Sequence, residues 1–268
     1  MGFLLYVSLW FVRRSYDPGA KFDLINMGSI PWYFFALAAF AASLPLVAKV
    51  RGGAKTVIPL SVALAVAAGF VDGFDDFLVL GRIATYAPCY FAGYFIDARQ
   101  YAGWVSGIRS RKIGIVGAIA VMALLFVALV VLPKSLTGTM ATLATGHNPY
   151  STSNNFPSYI DAGVRLLDFG VAVAMIVALS ELTPDKHLFF TEWGAATLQV
   201  YFWHPFIYYP VIGFGLLEPL MPWGGAVAFV VGVLIATILA VPKWLGKPFI
   251  LLKNAIKVDI EDARPVSE

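Results

Sequence analysis

Three basic side chains stand inside otherwise apolar stretches of the 268-residue chain: Arg82, Arg165 and His204. A guanidinium offers a planar fork of N–H donors that matches carboxylates, phosphates and clustered hydroxyls. An imidazole can take a proton from a hydroxyl near neutral pH. These are the parts of a site that holds an anionic or hydroxyl-rich substrate and moves a proton on it. Each has a plainer reading beside that one. Arg82 and Arg165 fall near the ends of their apolar segments, where a guanidinium can simply snorkel to lipid headgroups. His204 lies near the middle of "AATLQVYFWHPFIYYPV". Snorkelling cannot reach from there, so the ring must be neutral and hydrogen-bonded across helices, or sit in a wet pocket. Pro205 follows it and frees a backbone carbonyl one turn earlier.

Other chemistries find no footing. The chain contains no HExxH, CxxC, GxSxG, P-loop or dinucleotide fingerprint. His147 in "TGHNPY" falls outside and His187 inside on the topology below, so the three histidines do not gather into a metal site. Cys89 is the single cysteine and forms no disulfide within the chain.

The elements that must position these residues are set by composition. Apolar residues make up 59% of the chain and charged ones 13%, against about 45–50% and 25% in a soluble domain. An all-α, polytopic transmembrane bundle is expected. Seven segments approach the ~20 apolar residues that a membrane crossing needs: 30–48, 56–71, 80–96, 113–133, 163–181, 194–217 and 223–242. An eighth, Gly2–Val12, would cover only about 16 Å as a helix and reads as a short N-terminal helix or the remainder of a span.

Lys and Arg accumulate in loops that stay in the cytoplasm. Of the 19 in the chain, 13 fall in loops 49–55, 97–112 and 182–193 and the tail after 242, against 4 in the alternate set. The net charge of +3 is therefore read as an orientation signal, with no nucleic-acid partner implied. The C-terminus is expected in the cytoplasm. The acidic loop with Asp72, Asp75 and Asp76 and the long polar loop 134–162 fall on the outer face, where those acids could pair with Arg82 and Arg165. No repeat or linker divides the chain. One transmembrane domain over 1–242 is expected, with a cytoplasmic juxtamembrane tail over 243–268 that touches anionic lipid.

Four stretches, taken in order, carry a resemblance. "IPWYFFALAAFAASLPLV" is a Trp-containing helix ending near Pro45, and "GRIATYAPCYFAGYFI" places Arg82, Pro88, Phe91, Gly93 and Tyr94 in one signature. "ATGHNPYSTSNNFPSYIDAGVRLLDFG" holds Tyr150 and Arg165, and "TEWGAATLQVYFWHPFIYYPV" holds Gly194, Thr197, Leu198, Tyr201 and His204. In order and spacing over about residues 30–210 the set resembles membrane-bound acyltransferase family 3, in its fucose 4-O-acetylase-like branch. The resemblance implies transfer of an acyl group, typically acetyl, from acyl-CoA as donor substrate to a hydroxyl of a cell-surface or exported carbohydrate, with no bound cofactor. It implies substrate-binding roles for Arg82, Arg165 and Tyr150, and makes His204 the one buried residue here able to serve as a catalytic base. The family opens with a helix bearing an Arg and a His regarded as catalytic, and no counterpart precedes Gly2. The chain is thus expected to be either a shortened, inactive member or one that dispenses with that histidine. A transporter or flippase-like protein for a saccharide is the alternative from another class, though the repeated halves typical of transporters are not visible.

Overall fold

A computed structural model describes residues 2–22, 32–109, 112–153, 155–183, 186–188, 191–216, 224–240, 242 and 244–247. The basic residues Arg111, Lys243, Lys253, Lys257 and Arg264 lie outside them. Every long regular element described is an α-helix, as the composition implies.

Contacts divide the chain into two compact units. One comprises Met1–Leu24, Ser29–Phe34 and Lys186–Glu268, and the other Ile25–Gly28 and Phe35–Asp185. In the second unit run most of α2 (Trp32–Val47), then α3 (Ala54–Ala68), α4 (Leu80–Phe95), α5 (Ala98–Arg109), α6 (Lys112–Val131), α7 (Lys134–Ala144) and α8 (Ser158–Leu182). Here α3 packs along α4, and α8 packs against α5, α6 and α7. The first unit holds α1 (Gly2–Arg14), α9 (Thr191–Ala195), α10 (Thr197–Trp203), α11 (Pro205–Gly213) and α12 (Gly224–Ala240). There α1 packs on α11, and α10 on α12.

The expectation of about seven full spans is corrected. Among the described residues, two helices are long and apolar enough to cross a membrane: α6, over Gly114–Val131, and α8. α2, α3 and α4 have 16, 15 and 16 residues, or about 24 Å at most, short of a ~30 Å hydrocarbon layer. The segment 194–217 is broken at Ala196 and again at Pro205, which has no N–H to continue the ladder. Two stretches read as loops are helical instead. α5 is amphipathic and lies against α6 and α8, with the Tyr101 hydroxyl on Ser180 Oγ at 2.8 Å. α7 begins directly after Pro133, and α8 after Pro157, because a fixed φ near −60° suits the entry to a helix.

Burial separates α6 from the core helix of a soluble protein. Only 6% of its apolar window is buried, and Leu124, Phe126 and Val130 are each more than two-thirds exposed. Water solvates such a surface poorly, and hydrocarbon does not. A buried apolar cluster in the second unit lies where Leu143, Tyr150 and Val164 meet beneath a polar loop.

Candidate functional site

Tyr150 organises the site. It opens a short 3-10 turn over Tyr150–Thr152 and is 2% exposed. Its backbone N–H donates to the Gly69 carbonyl at 2.7 Å, and its hydroxyl donates to the Val66 carbonyl at 2.9 Å. Both acceptors lie at the C-terminal end of α3, where carbonyls lack the regular i+4 partner and the Val66 carbonyl also takes the Gly69 N–H. The ring sits so close to Gly69 that a Cβ there would stand 2.3 Å from it, so only glycine fits. Phe70 closes the other side edge-on at 4.8 Å. Burial holds the Tyr150 phenol above its ordinary pKa, with the Arg165 charge opposing.

Arg165 lies two turns into α8 and is also 2% exposed. Its guanidinium carbon is 4.9 Å from the centre of the Tyr150 ring, a cation–π arrangement. Nη1 donates to the Ala65 carbonyl at 3.0 Å, and Nη2 to those of Asn148 and Leu143 at 3.2 and 3.5 Å. One charge thus ties α3, the end of α7 and the following loop to α8. The Nε–H finds no acceptor among the described residues.

Asp75 is the second centre. It sits in a 3-10 turn, 4% exposed, and accepts the Arg82 backbone N–H at 2.8 Å. Its Oδ2 lies 3.3 Å from Arg82 Nε and 2.7 Å from His147 Nδ1. Of the three acids expected to face the arginines, Asp75 pairs with Arg82. The approach is steep: Leu78 and Val79 take left-handed φ values of 51° and 53°. That conformation costs a non-glycine residue roughly 1–2 kcal/mol, and it persists because Val79 is wholly buried. Gly146, at φ +70°, lets the loop bearing His147 pass over α4; a Cβ there would stand 2.8 Å from Thr85.

Neither arginine snorkels. Both guanidiniums are bonded inside the protein, and Arg82, Tyr150 and Arg165 belong to one neighbourhood under the loop 145–150. A cavity of about 10 Å³ opens there, lined by Asp75, His147, Asn148 and Arg165 among others. That is room for about one water-sized group.

His204 belongs to the first unit, between α10 and α11. Among the described residues it is bonded within its own helix and not across helices: Nδ1 lies 3.2 Å from the Val200 carbonyl, and the ring rests edge-on against Tyr201 at 5.6 Å. Nearby, Gln199 Nε2 donates to the Leu239 and Pro242 carbonyls.

His147 is the functional candidate that sequence reasoning passed over. A histidine in a polar loop resembles any surface histidine. The signal was its side: segments 72–79 and 134–162 share one face of the predicted topology, so Asp75 and His147 were free to meet.

Compared with known proteins, the chain matches no protein-family model, no curated protein and no solved structure.

Proposed function

We propose that the chain is a multi-pass membrane O-acyltransferase, moving an acyl group, acetyl first, from acyl-CoA to a hydroxyl of a cell-surface or exported carbohydrate. One observation carries this reading. Arg82, Tyr150 and Arg165, named by the resemblance from two separate signatures, lie in a single buried polar cluster with a histidine and a carboxylate beside them. Polar clusters of that kind among apolar helices mark function more often than stability.

The membrane setting is supported by the exposed apolar surface of α6 and by α8. The shorter apolar helices α2, α3 and α12 complete a multi-pass arrangement if the bilayer thins around them. The Lys and Arg asymmetry supports a cytoplasmic C-terminus and an outward-facing cluster. The thioester end of a cytoplasmic acyl-CoA must then reach the acceptor on the opposite side.

In such a transfer the acceptor hydroxyl needs a base, and the carbonyl oxygen that gains charge needs a donor. The resemblance implies that Arg82, Arg165 and Tyr150 bind the acceptor, and the sequence leaves His204 as a candidate base. Transfer of labelled acetyl from acetyl-CoA to saccharide by purified membranes tests the reading. Activity is expected in the wild type and reduced in Arg82→Ala, and His204→Ala is reduced only if that histidine is the base. Undiminished activity in both variants would remove the assigned sites.

A further inference from the structure

We infer that His147, held by Asp75, is the base that takes the proton from the acceptor hydroxyl, and that the cavity beside it receives that hydroxyl's oxygen. The inference rests on the transferase reading above and changes which histidine performs the step.

Three observations carry it. The first is the pairing. A neutral His147 that donates from Nδ1 to the Asp75 carboxylate, 2.7 Å away, keeps the lone pair of Nε2, and the carboxylate stabilises the imidazolium that forms when Nε2 gains a proton. Among the described residues, His204 has only a peptide carbonyl in that place, which orients the ring without supplying charge. The second is access. The Asp75 side chain is 3% exposed and that of His147 is 43% exposed, so the anion is fixed inside while the imidazole stays open to an incoming substrate.

The third is the cavity. It admits one oxygen-sized group and is lined by both His147 and Arg165. Arg165 is buried, and its Nε–H has no acceptor among the described residues. A buried donor without an acceptor is costly and uncommon, and an oxygen in the cavity would answer it. A hydroxyl suits both groups, because it can give its proton to an imidazole and accept from a guanidinium as negative charge gathers on it. Asp75 acts as a positioning residue in this scheme, through His147.

The step balances without redox. Nε2 of His147 takes the hydroxyl proton while the oxygen attacks the carbonyl carbon of the acyl thioester. The C–S bond breaks, sulfur leaves with the electron pair as thiolate, and the imidazolium returns the proton to it. The products are the carbohydrate ester and the free thiol.

The full-length protein in lipid nanodiscs provides the test, through two assays run on wild type and His147→Ala. In the first, labelled acetyl passes from acetyl-CoA to saccharide; His147→Ala is expected to be slower by about 10²–10³-fold, with unchanged thermal unfolding, and added imidazole is expected to restore part of the rate. A purely structural histidine would show no such rescue. In the second, water replaces the saccharide and p-nitrophenyl acetate replaces the thioester, and release of p-nitrophenolate is read above the imidazole background. The same His147 dependence and rescue are expected. If wild type transfers acetyl and His147→Ala matches it, the inference is overturned while the transferase reading stands. If wild type acylates no saccharide, that reading fails, and the dyad stands or falls on ester hydrolysis: equal rates in wild type and His147→Ala overturn it.

Discussion

Two clusters keep polar side chains from solvent, and they do so differently. Under Tyr150, in the second unit, a guanidinium is spent on three backbone carbonyls from residues 17 to 100 positions away in sequence. A carboxylate is shared there between an arginine and a histidine. Around Gln199, in the first unit, one neutral amide meets two carbonyls, and rings do the rest: Tyr33, Phe34, Tyr201 and Phe202 pack at 4.7 to 6.0 Å. The first arrangement needs a charge because irregular backbone gathers there, with acceptors that no helix satisfies. The second needs little more than apolar contact. Charge buried among irregular segments is costly to keep, so it marks the region where something besides stability is held.

The contrast breaks if the charged cluster is dispensable. Arg165→Met keeps the length and apolar stem of the side chain and removes its donors, leaving the Ala65 and Asn148 carbonyls without theirs, while the Leu143 carbonyl keeps the Gly146 N–H. A cost of about 3–5 kcal/mol is expected. For a chain of this size that lowers the thermal midpoint by roughly 10 °C, measured by intrinsic fluorescence in detergent. An unshifted midpoint would show that the guanidinium is not what ties α3, α7 and α8 together.

The same reasoning applied to the first unit gives a smaller number. Gln199→Leu conserves volume and removes only a neutral donor. The expected loss is about 1–2 kcal/mol, with acetyl transfer reduced in proportion to folded protein and no further. A transfer defect well beyond the loss of fold would move the functional centre toward His204 and away from Tyr150.

What the sequence disclosed follows from the same division. Arg82 and Arg165 were legible because charge in an apolar run is conspicuous, and Asp75 because three acids in a short loop suggest a partner for them. Tyr150 came from the resemblance alone. The carbonyls of Ala65, Leu143 and Asn148 could not be read, since every residue carries one and only the fold selects which are left over. His147 was hidden by its loop, and that loop was misread in part: "KSLTGTMATLA" is polar enough to pass for a connector, yet Pro133 starts it as α7, and Thr139 and Leu143 are buried. The opposite error befell 194–217, where continuous apolar composition concealed two breaks. Composition reports what surrounds a segment; it says little about where backbone hydrogen bonds stop.

The finest comparison lies within the charged cluster, between its cation–π contact and the Tyr150 hydroxyl. Tyr150→Phe keeps the ring over Arg165 and against Gly69 but removes the donor to the Val66 carbonyl. At neutral pH the expected cost is about 1 kcal/mol. The pH dependence then separates hydroxyl from ring. Burial holds the phenol above its ordinary pKa in the folded protein, whereas in the unfolded chain it titrates near 10. The unfolded state therefore gives up its proton first. The stability that Tyr150 contributes is full below about pH 10 and is lost as pH rises through the folded-state value. The other tyrosines are common to both proteins and cancel in the difference. The gap in thermal midpoint between wild type and Tyr150→Phe should thus be widest near neutrality and narrow above pH 10. A gap that stays constant would mean that the hydroxyl is hydrated in the fold, and that Arg165 and Gly69 hold the ring without it.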